Sequence, residues 1–258
     1  MTTATRRTGF TDAALVRLLA SWGVQPADGP PSDFHDQLSG WLRWTDAQPL
    51  FAALQEPLTV APLSDDEDAS ADSAAADAQA VHALLTRALT DDAPWREAAV
   101  PRRRSATSGW IATSATPAPT EMAFDFPTYR RHVVAQQQSM EDRIAPLRAR
   151  LRRALELRGP AHARLAALDA VMERMLGAPE RRLLDALPGL LEKRFAQLRA
   201  AATADAETAG DAPAAAAWQT GFQHDLEAAL HAELDLRWHP IRALLAALHT
   251  PDHAHAVA

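Results

Sequence analysis

From Tyr129 onward a seam of positions recurs with steps of four and three: Val133, Gln137, Met140, Ile144, Leu147, Leu151, Ala154 and Arg158, apolar apart from Gln137 and Arg158. That is the spacing of a coiled-coil seam, and it predicts one long amphipathic helix over 127–158 that pairs with another helix along its length. Pro146 inside the pattern removes one backbone bond and predicts a kink, and Gly159-Pro160 ends the helix. Two further helices come next, joined by short loops. The first carries Leu165, Leu168, Met172 and Met175 and stops at Gly177; the second carries Leu184, Leu187, Leu191, Phe195 and Leu198, broken or bent at Pro188-Gly189. After an Ala-rich spacer near 203–214, a last helix presents Trp218, Phe222, Leu226, Leu230, Leu234, Ile241, Leu245 and Leu248, kinked at Pro240. Helices of this length joined by short turns make an antiparallel bundle.

The first half reads differently. Residues 1–56 form a small Trp-rich helical module. Thr11 or Asp12 is placed to cap a helix with Leu15, Leu18, Leu19 and Trp22 on its apolar face and Gly23 just past its end. A second helix opens at Ser32 or Asp33 and carries Phe34, Leu38, Trp41 and Leu42, and a short segment covers Pro49 to Leu54. Trp22 and Trp41 sit on apolar stripes and read as core, while Trp44 suits the core and a partner equally. Residues 57–125 turn to Pro, Ala, Ser, Thr and Asp, with the acidic run Asp65 to Asp68. Such a composition buries too little apolar surface to offset the entropy of ordering, so it reads as a disordered linker. One helix near 74–90 interrupts it, with Val81, Leu84, Leu85 and Leu89 on its face. Residues 126–258 make the bundle.

Composition narrows the class. A chain of 258 residues, 47% of them apolar, can bury a core, but much of that content is alanine, so Leu, Trp, Phe, Met, Val and Ile must supply it. With ten glycines, one tyrosine and scattered β-branched residues, the runs that seed a sheet are missing. The expected fold is all-α: a long-helix antiparallel bundle of coiled-coil character, with the small N-terminal helical module and disordered linkers. The absence of cysteine excludes disulfides, thiolate catalysis and Cys-ligated metals. The N-terminal stretch is a poor secretory signal, and no segment approaches the roughly 18 consecutive apolar residues of a membrane span, so a cytoplasmic protein is expected.

No catalytic motif emerges. The glycines never fall as G-x-G-x-x-G or as a Walker A loop, and no serine lies in G-x-S-x-G, so neither an enzyme nor a cofactor is expected. His224, Glu227 and His231, with Asp235 a turn further on, share one helical face at metal-ligand spacing. They lack matching Glu-x-x-His pairs on a facing helix and read as the polar face opposite the Trp218 to Leu234 stripe. His249, His253 and His255 read as a frayed terminus.

The net charge of −7 hides an asymmetry: nine acids face two arginines from Asp65 to Glu97, whereas fifteen basic residues face eight acids from Thr128 to Ala200. The cluster Arg143, Arg148, Arg150, Arg152, Arg153 and Arg158 reads as an anionic footprint or as a solvated, self-paired face. The acidic chain, the scarcity of aromatics nearby and the counter-charge of the acidic linker favour self-pairing over nucleic acid. Gln137 lies where a buried polar residue sets register in a coiled coil, while Gln136 and Gln138 fall off the seam. The reading that unites these features is a non-enzymatic scaffold or adaptor. It would bind other helical proteins, or itself, through the seam and the N-terminal module, with Trp22, Trp41, Trp44, Gln137, Arg143, Arg148, Arg150, Arg152 and Arg153 as partner-binding candidates. The alternative is a binder of nucleic acid or an anionic surface through the Arg-rich face.

The segments RTGFTDAALVRLLASW, FHDQLSGWLRWTDAQPLFAAL, QQQSMEDRIAPLRARLRRAL, LAALDAVMERML and ERRLLDALPGLLEKRF resemble an uncharacterised family of proteobacterial proteins, a domain of unknown function of about this length. The resemblance supplies no active site. It implies a gene setting beside a proton-channel-like inner-membrane protein and an outer-membrane-protein-A-like, peptidoglycan-binding protein. It further implies a cytoplasmic accessory to an ion-driven envelope complex, with those membrane neighbours as partners.

Overall fold

A computed structural model describes residues 13–24, 44–55, 65–91, 125–209 and 214–250. Among them every regular element is an α-helix: α1 (Ala14–Ser21), α2 (Trp44–Gln55), α3 (Asp65–Asp91), α4 (Phe126–Leu157), α5 (Pro160–Leu184), α6 (Leu187–Ala209) and α7 (Ala214–Leu248). Thr11, Asp12, the helix expected around Trp41, and His253 and His255 lie outside the described residues.

α4 is the long helix, within one residue of its expected bounds at each end. Pro127 occupies its first turn, where a missing N–H leaves no bond unmade. At its other end Gly159 adopts φ +123°, a conformation open to glycine and strained for other residues, and Pro160 starts α5. Pro146 and Pro240 both lie inside continuous helices. The whole seam from Tyr129 to Ala154 is buried, with Met140, Leu147 and Leu151 fully inaccessible.

What covers the seam is the chain itself. α7 lies beside α4 in the same direction: Gln223 meets Tyr129, Glu233 meets Gln137 and the Leu248 carbonyl meets Arg158, at sequence offsets of 94, 96 and 90. α5 and α6 run the other way, since Arg148 pairs with Asp169, Arg181 with Glu141, and Phe126 packs on Phe195. The two therefore succeed one another along α4, separated by the turn at Asp185 and Ala186, and α6 is antiparallel to α7 through Arg194–Asp225 and Phe195–Trp218. Each fully buried Leu, Ile, Phe or Met side chain contributes about 1.5 to 3 kcal/mol, so this continuous core dominates the stability of the bundle.

Several local expectations change. α5 does not stop at Gly177; it continues through Gly177 and Pro179 to Leu184. A helical glycine costs only about 1 kcal/mol, and the burial of Met175 before it and Leu184 after it outweighs that. Leu165, expected on the buried face, is exposed. α3 begins at Asp65 instead of near 74, and acidic residues are favoured in a first helical turn. It buries Ala78, Leu85 and Leu89 against the main core and leaves Leu84 exposed. The spacer expected near 203–214 is helical up to Ala209, in keeping with the high helix propensity of alanine.

α1 rests on α7 and ends, as its sequence predicts, at Gly23, whose φ of +78° lets the Gly23 and Val24 N–H groups donate back to the Ala20 and Leu19 carbonyls. Its N-cap position is Ala13, which makes no side-chain cap bond. α2 packs on α5 and forms a second, smaller cluster in which Ala53, Val171 and Met175 are buried beside Leu50, Leu168 and Leu176.

Candidate functional site

Gln137, the polar position of the seam, is the polar centre of the bundle. Its side chain is buried, and its amide Nε2 donates both to the Leu184 carbonyl at the end of α5 and to Glu233 Oε2 on α7, each at 3.0 Å. Glu233 is fully inaccessible, and its other oxygen accepts from Arg237 Nε at 2.8 Å. One amide thus ties three helices at one level, which fixes their register as a buried polar residue does in a coiled coil. Burial holds the Glu233 carboxyl above its ordinary range; the charge of Arg237 and the bonds from Gln137 and Arg237 pull it down, and nearby Asp185 pushes it up. Glu233 is the residue that pattern reading misses. Its signal is its place in the chain: steps of four from Phe222 to Leu234 turn by about 40° each, and Glu233 falls inside the arc they sweep.

A second charged layer joins α4 to α5. Arg148 donates from Nε and Nη2 to the two oxygens of Asp169, at 2.9 and 2.7 Å, and Arg152 bridges Asp169 and Glu173 at 3.0 and 2.6 Å. Both arginines are mostly buried, with 13% and 16% of the side chain exposed. Burial alone would lower the pKa of Arg152, but Glu173 and Asp169 more than offset it and hold it above the ordinary value. Arg148 and Arg152 are therefore spent inside the chain, which corrects their standing as candidates for an outside partner. Arg150 reaches Asp77 of the acidic helix α3 at 3.5 Å, Arg153 lies 3.7 Å from Glu156, and Arg143 donates to the Ser139 hydroxyl. Arg158 donates to the Leu248 carbonyl and so caps the end of α7.

The remaining candidates separate. Trp22 is buried in the main core, with the Arg194 guanidinium 6.0 Å from its ring, so it fills space within the bundle and is lost as a partner-facing residue. Trp41 lies outside the described residues, and Trp44 opens α2. Gln136 is buried although it lies off the seam, and Gln138 is exposed. His224 is exposed, Glu227 and His231 are half-buried, and among the described residues no three His, Asp or Glu side chains gather to hold a metal. Among the described residues no helix is long and apolar enough to cross a membrane.

Among the described residues, exposed apolar side chains gather on α5 and α2. On α5, Leu165, Met172, Leu176 and Leu183 are seven, four and seven residues apart, so they lie within about 20° of one line along the helix. α2 covers the middle of this line, where Leu176 joins the small cluster. Leu165 and Leu183 at its ends are 46% and 62% exposed, and Phe51 and Leu54 on α2 itself are 63% and 50% exposed.

No curated protein and no solved structure matches the chain. A family model does, over residues 1–250, and its description is "Protein of unknown function (DUF3348)". The match covers nearly the whole length of the sequence, from α1 through α7, and the chain belongs to this family.

Proposed function

We propose that the protein is a non-enzymatic helical adaptor that docks a helical partner protein on the outer layer formed by α2 and α5. The observation that carries this reading is the exposure of Phe51, Leu54, Leu165 and Leu183 on adjoining helices, while the long seam that could have served is filled from within. Exposed large apolar side chains at helical spacing are the anchors that a helix in a groove uses. The Arg-rich face of α4 is a weaker docking surface, because Arg148 and Arg152 are engaged with Asp169 and Glu173. The partner that the family resemblance points to is a component of an ion-driven envelope complex, with the adaptor on its cytoplasmic side. The test is recovery of native complexes on the tagged full chain, comparing wild type with Leu165→Ser/Leu183→Ser. Loss of a wild-type partner from the variant supports the reading. Equal recovery by both, or no partner with either, overturns it.

A further inference from the structure

The charged layer is not closed on all sides. Between α4, α5 and α7 lies a cleft of about 520 Å³, a size that suits a small organic ligand. Ile144, Ala145 and Pro240 give it an apolar wall, and Gly177 leaves room, since a Cβ built there meets nothing within 4 Å.

Four guanidinium groups and three carboxylates line this cleft, and most are neutralised in place. Glu141 faces Arg181 at 3.5 Å, and Glu173 is shared by Arg148 and Arg152. Arg174, which is exposed, and the part-exposed Glu180 make no ion pair among the described residues; Arg237 differs from both in being nearly enclosed. Its Nε is spent on Glu233, yet its two amino groups meet no acceptor among the described residues, although only 11% of the side chain is exposed. A guanidinium carries five donors in a planar fork that matches a carboxylate. Here the fork is held from behind by Glu233, which Gln137 holds in turn, so its orientation is set before any ligand arrives. A nearly buried group with donors unspent gains more from a bound acceptor than a surface arginine does. Because Glu141, Glu173 and Glu180 line the same cleft, a single negative charge fits it better than a double one.

We propose that this cleft binds a small aliphatic carboxylate, its two oxygens on the Arg237 fork and its chain along Ile144, Ala145 and Pro240. The proposal is independent of the docking surface on α2 and α5. The full chain, labelled with ¹⁵N at arginine, is titrated with hexanoate at constant ionic strength, and inorganic phosphate serves as the parallel probe. Saturable displacement of the guanidinium resonances of Arg237 and of its cleft neighbours Arg148 and Arg181 by hexanoate is expected, the two neighbours serving as reporters in the variants, with phosphate binding more weakly. Arg237→Lys, which keeps the charge and loses the fork, weakens hexanoate at least about tenfold. Should that variant not fold, Glu233→Gln/Arg237→Gln removes both buried charges together and is expected to abolish saturation. Absence of a saturable shift in the wild type, phosphate binding as tight as hexanoate, or unchanged affinity in the folded variant overturns the proposal.

Discussion

The seam of α4 and the outer layer of α2 and α5 use the same kinds of side chain and end in opposite states. Met140, Leu147 and Leu151 are wholly inaccessible, whereas Phe51 and Leu183 keep more than half their surface in water. Length accounts for the contrast. α4 has 32 residues and is covered along its whole stripe by α5, α6 and α7, whereas α2 has 12 and covers about 18 Å of an α5 that is roughly twice as long. Heptad spacing therefore reports that a helix needs a partner and is silent on whether that partner is another molecule.

The largest test of this contrast is Leu151→Ala. Removing a fully buried side chain from the seam is expected to cost about 2 to 5 kcal/mol in denaturant unfolding, with stability independent of protein concentration because the partner helices are in the same chain. A cost below about 1 kcal/mol would mean that the seam is not closed as described. Next comes Gln137→Leu, which leaves the Leu184 carbonyl and one oxygen of Glu233 without their donor; a loss of about 1 to 3 kcal/mol is expected from thermal unfolding.

The two regions are not equally legible in the sequence. The seam is readable because its spacing is purely periodic, and α4 lies within a residue of its expected ends. Gly177 misleads because local propensity favours a stop there, while the burial of Met175 and Leu184 on either side keeps α5 going. Glu233 is hidden for another reason: a hydrophobic stripe has no symbol for a carboxylate, and only the donors brought by Gln137 and Arg237 make its burial tolerable. Arg148 and Arg152 read as one cationic face with Arg150 and Arg153, because sequence shows neighbours along one helix and hides Asp169 and Glu173 on the next. Exposed Leu165 and Leu183 cannot be told from core leucines, since nothing in the chain states how short α2 is or where it lands.

A smaller effect sharpens the polar centre. Burial raises the Glu233 carboxyl above its ordinary range, so the folded state holds that proton more tightly than the unfolded chain does. Its contribution is most favourable below the ordinary carboxylate pKa and falls as pH rises from there to the raised folded value, above which it is constant. Glu233→Gln, which still accepts from Arg237, should remove that slope from the stability profile across this window. An unchanged profile in the variant would show that the carboxyl titrates the same way folded and unfolded.

The smallest expected effect on stability belongs to the outer layer, whose exposed apolar side chains are mostly solvated already. Leu183→Ser and Phe51→Ser each remove an apolar side chain that is mostly solvated already, so little burial is lost, and each should leave the unfolding free energy within about 0.5 kcal/mol of wild type. A core side chain and a partner anchor thus separate by two measurements on the same variants. Stability drops several-fold more for Leu151→Ala than for Leu183→Ser, while partner recovery drops only for the surface pair. If Leu183→Ser instead destabilises the isolated protein by as much as a seam substitution, then Leu183 is held by the chain itself, and α5 joins α4 as a helix whose stripe is satisfied from within.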